Sequence, residues 1–400
     1  MVALRLFSHL DLEFYLNFGF EPVMTDHIGD PSLYPGEVLD TICGFPTIYH
    51  YQPALQATKP EDEQPKPNPL VVCIPGSMHL ARIFYGGHKG SNPKDFLAYQ
   101  LSNHGFNVLS LSYPLETTPE IMPSTGASFR IPDWGHQAAT TAKKIIEEKA
   151  LSTRSIILIA WSMGGRMIVP FNIAAKKLGF EVQQFIGFAA TPGISKIRNP
   201  APGMACSEAG YFCIPDRLGN FYEQVQLMEE FNDGQTAVPK DVFLREYVGG
   251  TPINLTGVRM KYDGVGAFVQ DELTHEEDTG VFDVANLPFI TALYPTGIVD
   301  ASHALADRAS WGFLLTYQLE AMVGKRGLQR VKGTERWQEL MDLVHAAPGR
   351  LCFPVPGSHF FFVGEASARE VAEKVVKLIS VAGEFQDTLS GILSLTAPPL

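Results

Sequence analysis

Nowhere does the chain hold about 18 consecutive apolar residues, so it offers no helix long enough to cross a bilayer. Cysteine is scarce. Cys43, Cys73, Cys206, Cys213 and Cys352 are five in 400 residues. An odd number at irregular spacing excludes a disulfide framework and fits a reducing compartment. Cys73 and Cys352 sit inside apolar runs and read as small buried hydrophobes. Cys206 and Cys213 are near enough to pair or to share a metal, but no second ligand pair follows at zinc spacing. Positive charge is short too: 31 Lys and Arg stand against 43 Asp and Glu, a net charge of -12. An acidic surface repels phosphate backbones and argues against a nucleic-acid partner. Met1 to Phe18 interrupts its apolar residues with Arg5, His9, Asp11 and Glu13, unlike the core of a signal peptide. The last residues, Ala397-Pro398-Pro399-Leu400, are no peroxisomal address. The expectation is a cytoplasmic protein.

Also missing are a Walker-type loop, a dinucleotide fingerprint, a His-Glu-x-x-His helix and paired Cys-x-x-Cys motifs. The Gly-Gly pairs at 86–87 and 249–250 are isolated, and no internal repeat is visible. The expectation is therefore chemistry without a cofactor or metal. What the chain has is apolar mass, 45% of its residues, with 29 Pro and 36 Gly to turn it. Only 18% of residues are charged, below the usual ~25%. That suffices for one large domain with an insertion, or for two domains.

The first 67 residues carry aromatic strand-like pieces such as Phe45 to Tyr51, then a polar, Pro-rich loop at 58–68. An alternation follows. Leu70–Ile74, Asn107–Ser112, Ser155–Ala160 and Gln184–Ala190 are apolar runs, and residues 138–149 and 164–178 between them read as helices. Asp133 is placed to cap the first of these helices. Continuous apolar runs separated by helices mark a mostly parallel sheet covered on both faces. The pattern lapses between 193 and 287, a stretch rich in Gly, Pro, aromatics and acids, and resumes with Phe289–Tyr294, Arg350–Val355 and a helix near 367–380. The expected class is α/β, with a mostly parallel central sheet flanked by helices. Its core is divided into 1–192 and 288–400 by a cap inserted at 193–287.

The chemistry concentrates at Ile156 to Gly165, where a buried run enters the turn Ala160-Trp161-Ser162-Met163-Gly164 and then a helix. A sharp turn of this kind, with small residues two before and two after the Ser, sets the hydroxyl clear of the sheet at a helix N-terminus. This strand–turn–helix resembles the nucleophile elbow of the α/β-hydrolase superfamily, with Ala160 replacing the first Gly. The likeness covers roughly residues 68–192 and 287–382. It implies that Ser162 is the nucleophile and that Met163 N–H is one oxyanion donor. The other donor comes from Ser77 or Met78 in Pro75-Gly76-Ser77-Met78-His79. His359, after the last strand, is the implied base, while His303 and His345 follow no strand directly. The implied acid lies after Phe289–Tyr294, Asp300 first and Asp307 as the alternative, with Asp342 expected on a solvated helix face. A serine hydroxyl needs such a base, and the base a carboxylate to fix its tautomer.

Aromatic residues near the elbow, Trp161, Phe84 and Tyr85, are the expected substrate contacts. With Tyr211, Phe212, Phe221, Tyr222, Phe231 and Phe268 in the insertion, they suggest a bulky apolar substrate. The resemblance implies hydrolysis of an ester, a thioester or a polyketide-like substrate. Ser162, where epoxide hydrolases carry Asp, argues against that branch. The capped, aromatic-rich form also loosely resembles pathway hydrolases of fungal secondary metabolism. Two other readings stay open: non-hydrolytic cyclisation or condensation at the same site, and a ligand-binding receptor on a hydrolase scaffold.

Overall fold

The computed structural model describes residues 33–55, 68–194, 203–271 and 274–394. Both chain ends and all but the last residue of the expected loop at 58–68 lie outside the described residues.

The apolar runs form strands. They are β1 (Glu37–Ile42), β2 (Phe45–Gln52), β3 (Leu70–Ile74), β4 (Val108–Leu111), β5 (Ser155–Trp161) and β6 (Glu181–Phe188). Side chains alternate across a strand. Leu70, Val72 and Ile74 of β3 therefore pack with Ile156, Leu158 and Ala160 of β5 in one buried cluster. Val71, Cys73, Ile157, Ile159 and Trp161 pack in a second cluster. Helices cover both faces, which is why these runs read as unbroken apolar stretches. Each large buried aliphatic contributes about 1.5–3 kcal/mol.

The covering helices begin with α1 (Arg82–Tyr85), α2 (Leu97–Asn103), α3 (Ile131–Glu148) and α4 (Ile168–Lys177). α3 starts earlier than expected. Pro132 fits its first turn, because its fixed φ is already helical. Asp133 thus falls at the third helical position, and its carboxylate accepts from Arg130 N–H at 3.0 Å instead of capping the end itself.

Between β6 and the next sheet strand, the described residues hold a small antiparallel sheet of β7 (Ala205–Cys206), β8 (Tyr211–Cys213) and β9 (Thr251–Pro252). With it come a hairpin, β10 (Met260–Tyr262) and β11 (Phe268–Gln270), and helices α5 (Pro215–Gln226), α6 (Lys240–Glu246) and α7 (Thr274–Thr279). Cys206 and Cys213 stand on neighbouring strands as free thiols.

The sheet resumes with β12 (Ile290–Pro295), continues through α8 (Ala301–Val331) and α9 (Arg336–Leu351) to β13 (Cys352–Val355), and ends in α10 (Glu365–Leu393). α10 runs well past 380 because its apolar stripe continues through Ala382, Phe385, Leu389 and Ile392, all buried. The strand order is β1-β2-β4-β3-β5-β6-β12-β13. β2 is antiparallel to both its neighbours, and the other pairs are parallel. The loops leaving β3, β5, β12 and β13 therefore emerge at one edge, where parallel sheets bind ligands.

Candidate active site

Ser162 follows β5 directly, at φ 54°, and begins the 3-10 turn that leads into α4. A non-glycine residue in this left-handed region is strained, and such strain gathers at functional sites. Small residues make the turn feasible. A Cβ on Gly164 would lie 3.2 Å from Ala160 Cβ, so Gly at the second position leaves room for Ala at the first. A Cβ on Gly76 would sit 2.8 Å from Ser162 Cβ, so only Gly lets the β3 loop come this close to the elbow.

That loop carries Ser77, whose N–H, like Met163 N–H, has no protein partner among the described residues. Both residues line a cavity of about 300 Å³ that also holds Ser162 and His359. Met78 does not share the donor role suggested by the sequence: its N–H donates to Thr251 Oγ1 at 2.8 Å.

The loops after β12 and β13 are tied together. Thr296 N–H donates to Val355 O and Gly297 N–H to Gly357 O, each at 3.0 Å, extending the β12–β13 pairing beyond the strands. Asp300 and His359 follow directly. His359 Nδ1 donates to Asp300 Oδ2 at 2.7 Å. This bond leaves Nε2 as the proton-accepting nitrogen. Burial pushes the His359 pKa below its ordinary value, and Asp300 opposes that by favouring the imidazolium. Ser162 and His359 share the cavity without a direct hydrogen bond, as is common before a substrate tightens a site. Asp307, the alternative acid, is committed elsewhere: its two oxygens accept from His303 Nδ1 at 2.9 and 3.0 Å. Asp342 is exposed and accepts from Gln338 on α9.

The three expected substrate contacts are corrected by the structure. Trp161 projects to the opposite sheet face from Ala160, stacks among His79, Phe360 and Phe362, and donates from Nε1 to His359 O at 3.0 Å. It braces the base loop. Phe84 is fully buried against Phe362, and Tyr85 donates to the buried Glu37 carboxylate at 2.6 Å. None of the three lines the cavity. The 203–271 segment supplies lining residues instead, among them Met204, Phe212, Phe221 and Val258. Of the other expected aromatics, Tyr211 and Tyr222 are buried and Phe231 faces solvent.

Two arginines missing from the sequence reading also face the cavity. Arg166 stands four residues after Ser162, and Arg217 lies on α5 with Phe221 and Gln224. The spacing 217, 221, 224 is i, i+4, i+7 of one helix face, a signal present in the sequence. Gln224 reaches back to the base: its Oε1 accepts from His359 N–H at 3.2 Å, and its carbonyl accepts from Ser358 Oγ at 2.7 Å. Donor atoms of Asp300, His303 and His359 lie within 4.8 Å of one another, a spacing compatible with a metal ion. Both imidazole Nδ1 atoms already donate to carboxylates, so binding an ion through those atoms would dismantle the site's own hydrogen bonds.

The strand order, the elbow after β5 and the Asp and His loops after β12 and β13 together decide the architecture. The chain has the α/β-hydrolase fold. No family model and no curated protein matches the sequence. Among solved structures, the chain is similar to the epoxide hydrolase CorEH, at 13% identity and TM-score 0.42 over 86% of this chain and 98% of that one. An esterase of Pyrobaculum calidifontis matches at 13% identity and TM-score 0.41, over 86% and 84%. A soluble variant of monoglyceride lipase from Saccharomyces cerevisiae matches at 11% identity and TM-score 0.44, over 88% and 95%.

Proposed function

We propose that the protein is a serine hydrolase that cleaves an ester or thioester through an acyl-enzyme on Ser162. His359 acts as the base and Asp300 orients it. The observation that carries this reading is the 2.7 Å hydrogen bond from His359 Nδ1 to Asp300, in a cavity shared with a positive-φ serine. His359 takes the Ser162 proton as Oγ attacks the acyl carbon. The oxyanion is received by Ser77 and Met163 N–H, helped by the helix N-terminus beneath Ser162. The intermediate then collapses with loss of the protonated leaving group, and water hydrolyses the acyl-enzyme, which restores Ser162.

Segment 193–287 serves as the cap in this reading. Its apolar lining suits the hydrocarbon part of a substrate, while Arg166 and Arg217 suit a polar or anionic group on the same molecule. The substrate class is thus an amphiphilic ester or thioester, rather than a purely apolar one. The test is a fluorophosphonate probe together with p-nitrophenyl esters of graded chain length. The unaltered protein should label on Ser162, and Ser162→Ala should lower kcat by about 10³-fold or more while staying folded. Equal labelling and turnover in the variant would remove Ser162 from the mechanism.

A further inference from the structure

Next to the His359–Asp300 couple stands a second one. His303 and Asp307 are one helical turn apart near the start of α8. Their side chains are 6% and 5% exposed, and both Asp307 oxygens lie within 3.0 Å of His303 Nδ1. An i, i+4 His–Asp pair on a helix usually faces solvent. This one is buried, and His303 lines the same cavity as Ser162. The His303 and His359 rings lie 5.0 Å apart, tilted by 39°. A buried ionisable pair can often be exchanged for apolar residues without loss of stability, so its presence on a cavity wall calls for a chemical reason.

The geometry of attack supplies that reason. β3 and β12 lie on opposite sides of the elbow strand β5. The oxyanion donor Ser77 follows β3, whereas Asp300 and His303 follow β12. A substrate whose carbonyl oxygen points at Ser77 and Met163 N–H leaves the β12 side, where the two imidazoles stand, open to its leaving group.

We propose that His303, held by Asp307, is a second catalytic residue of this cavity: it gives the proton to the leaving-group oxygen while His359 serves Ser162. The proposal rests on the serine-hydrolase reading. In acylation the Ser162 Oγ–C bond forms, the Ser162 proton passes to His359, and the C–O bond to the leaving group breaks as the His303 imidazolium protonates the departing oxygen. In deacylation water attacks the acyl carbon and gives its proton to His303, and the Ser162 Oγ–C bond breaks as His359 returns its proton to Ser162. Both imidazoles end as they began, and the sum is ester plus water to acid plus alcohol. In the first tetrahedral intermediate both rings carry charge 5.0 Å apart. Each ring has its own carboxylate at Nδ1.

The test compares two esters with one acyl group, a p-nitrophenyl ester whose leaving group needs no proton and a simple alkyl ester whose leaving group does. In His303→Gln the alkyl-to-aryl ratio of kcat/KM, which reports acylation and not the shared deacylation step, should fall about 10²-fold or more, the scale of general acid catalysis. A fluorophosphonate probe should still label Ser162 in this variant. Asp307→Asn, which keeps the shape of the helix and the imidazole, should lower the ratio in the same direction, and it carries the test if His303→Gln does not fold. An unchanged ratio of kcat/KM, whether both values fall together or neither does, overturns the proposal and leaves the Ser162 reading standing. Absence of Ser162 labelling in the unaltered protein would remove the serine-hydrolase reading and this proposal with it.

Discussion

Asp300 does two things to His359: it fixes the ring with Nδ1 protonated, and it raises a pKa that burial lowers. In the proposed reaction His359 works in its neutral form, so kcat/KM should rise with pH through the His359 pKa. Burial places that limb below the ordinary value of ~6.5. Asp300→Asn removes the group that favours the imidazolium, so the limb should move further down in pH while kcat falls by about 10⁴-fold, as for the acid of serine proteases. A pH–rate profile checks both effects, and a limb displaced upwards, or near-normal turnover, would count against the assignment. At this scale the places of the three residues in the fold were legible because their signals are local. Ser162 sits in a turn with its own signature, and His359 and Asp300 each follow a strand end. Trp161, Phe84 and Tyr85 misled because nearness along the chain is not nearness in space: Trp161 points to the sheet face opposite Ala160, while α1 buries Phe84 against Phe362 and Tyr85 against Glu37. His303 escaped because its meaning depends on Asp307 behind it and His359 across from it, and neither contact has a sequence motif.

The elements explain how the loop after β3, the proposed oxyanion loop, keeps its shape. Segment 247–251 runs beside it: Leu80 N–H donates to Tyr247 O and Gly249 N–H to Met78 O, at 2.8 and 3.0 Å. Thr251 Oγ1 accepts from Met78 N–H at 2.8 Å, and Tyr113 Oη stands 3.2 Å from the same oxygen while donating to Gly76 O at 2.8 Å. His79 adds a brace, its Nδ1 donating to Ser77 O at 2.7 Å within a nest of aromatic rings. Thr251→Val keeps the shape but strands the buried Met78 N–H, a loss of about 1–3 kcal/mol. Because Ser77 adjoins Met78, kcat should fall by up to about 10²-fold with KM nearly unchanged. Chemical denaturation and steady-state kinetics measure the two effects, and full stability with full kcat would sink this account. The parallel strands were legible because burial on both faces leaves unbroken apolar runs. The short strands β7, β8 and β9 were not, since two or three residues carry no period and their pairing is set by partners up to some 40 positions away.

Across the whole molecule, burial of polar groups sets the response to acid. His79 and His275 are held neutral, chiefly by burial, with pKa values lowered to about 3 and about 4. In the unfolded chain both titrate near ~6.5. Below that pH the unfolded state binds protons that the fold refuses. Stability is therefore fully present above ~6.5 and falls as pH drops towards the folded values, by up to about 1.4 kcal/mol per pH unit for each histidine. Urea midpoints at pH 7.5 and pH 5 should differ in that direction, and His275→Gln should flatten the slope; a midpoint that holds or rises on acidification would refute it. A second buried set joins distant parts of the chain. Arg82 is bound by both Glu37 oxygens at 2.7 Å, donates to Glu246 O, and lies 3.6 Å from the Tyr34 ring, whose hydroxyl donates to Glu246. β1, the start of α1 and the end of α6 are thereby fastened to one guanidinium. With Thr251 on the oxyanion loop and Gln224 on the base loop, segment 203–271 is no detachable module. Exchanging it wholesale for the corresponding region of another hydrolase would withdraw a support from the oxyanion loop, the base and a buried cation in one step. Re-engineering this scaffold for new esters has to proceed by point changes at side chains such as Met204 and Val258, which face the cavity, leaving the backbone that carries them in place.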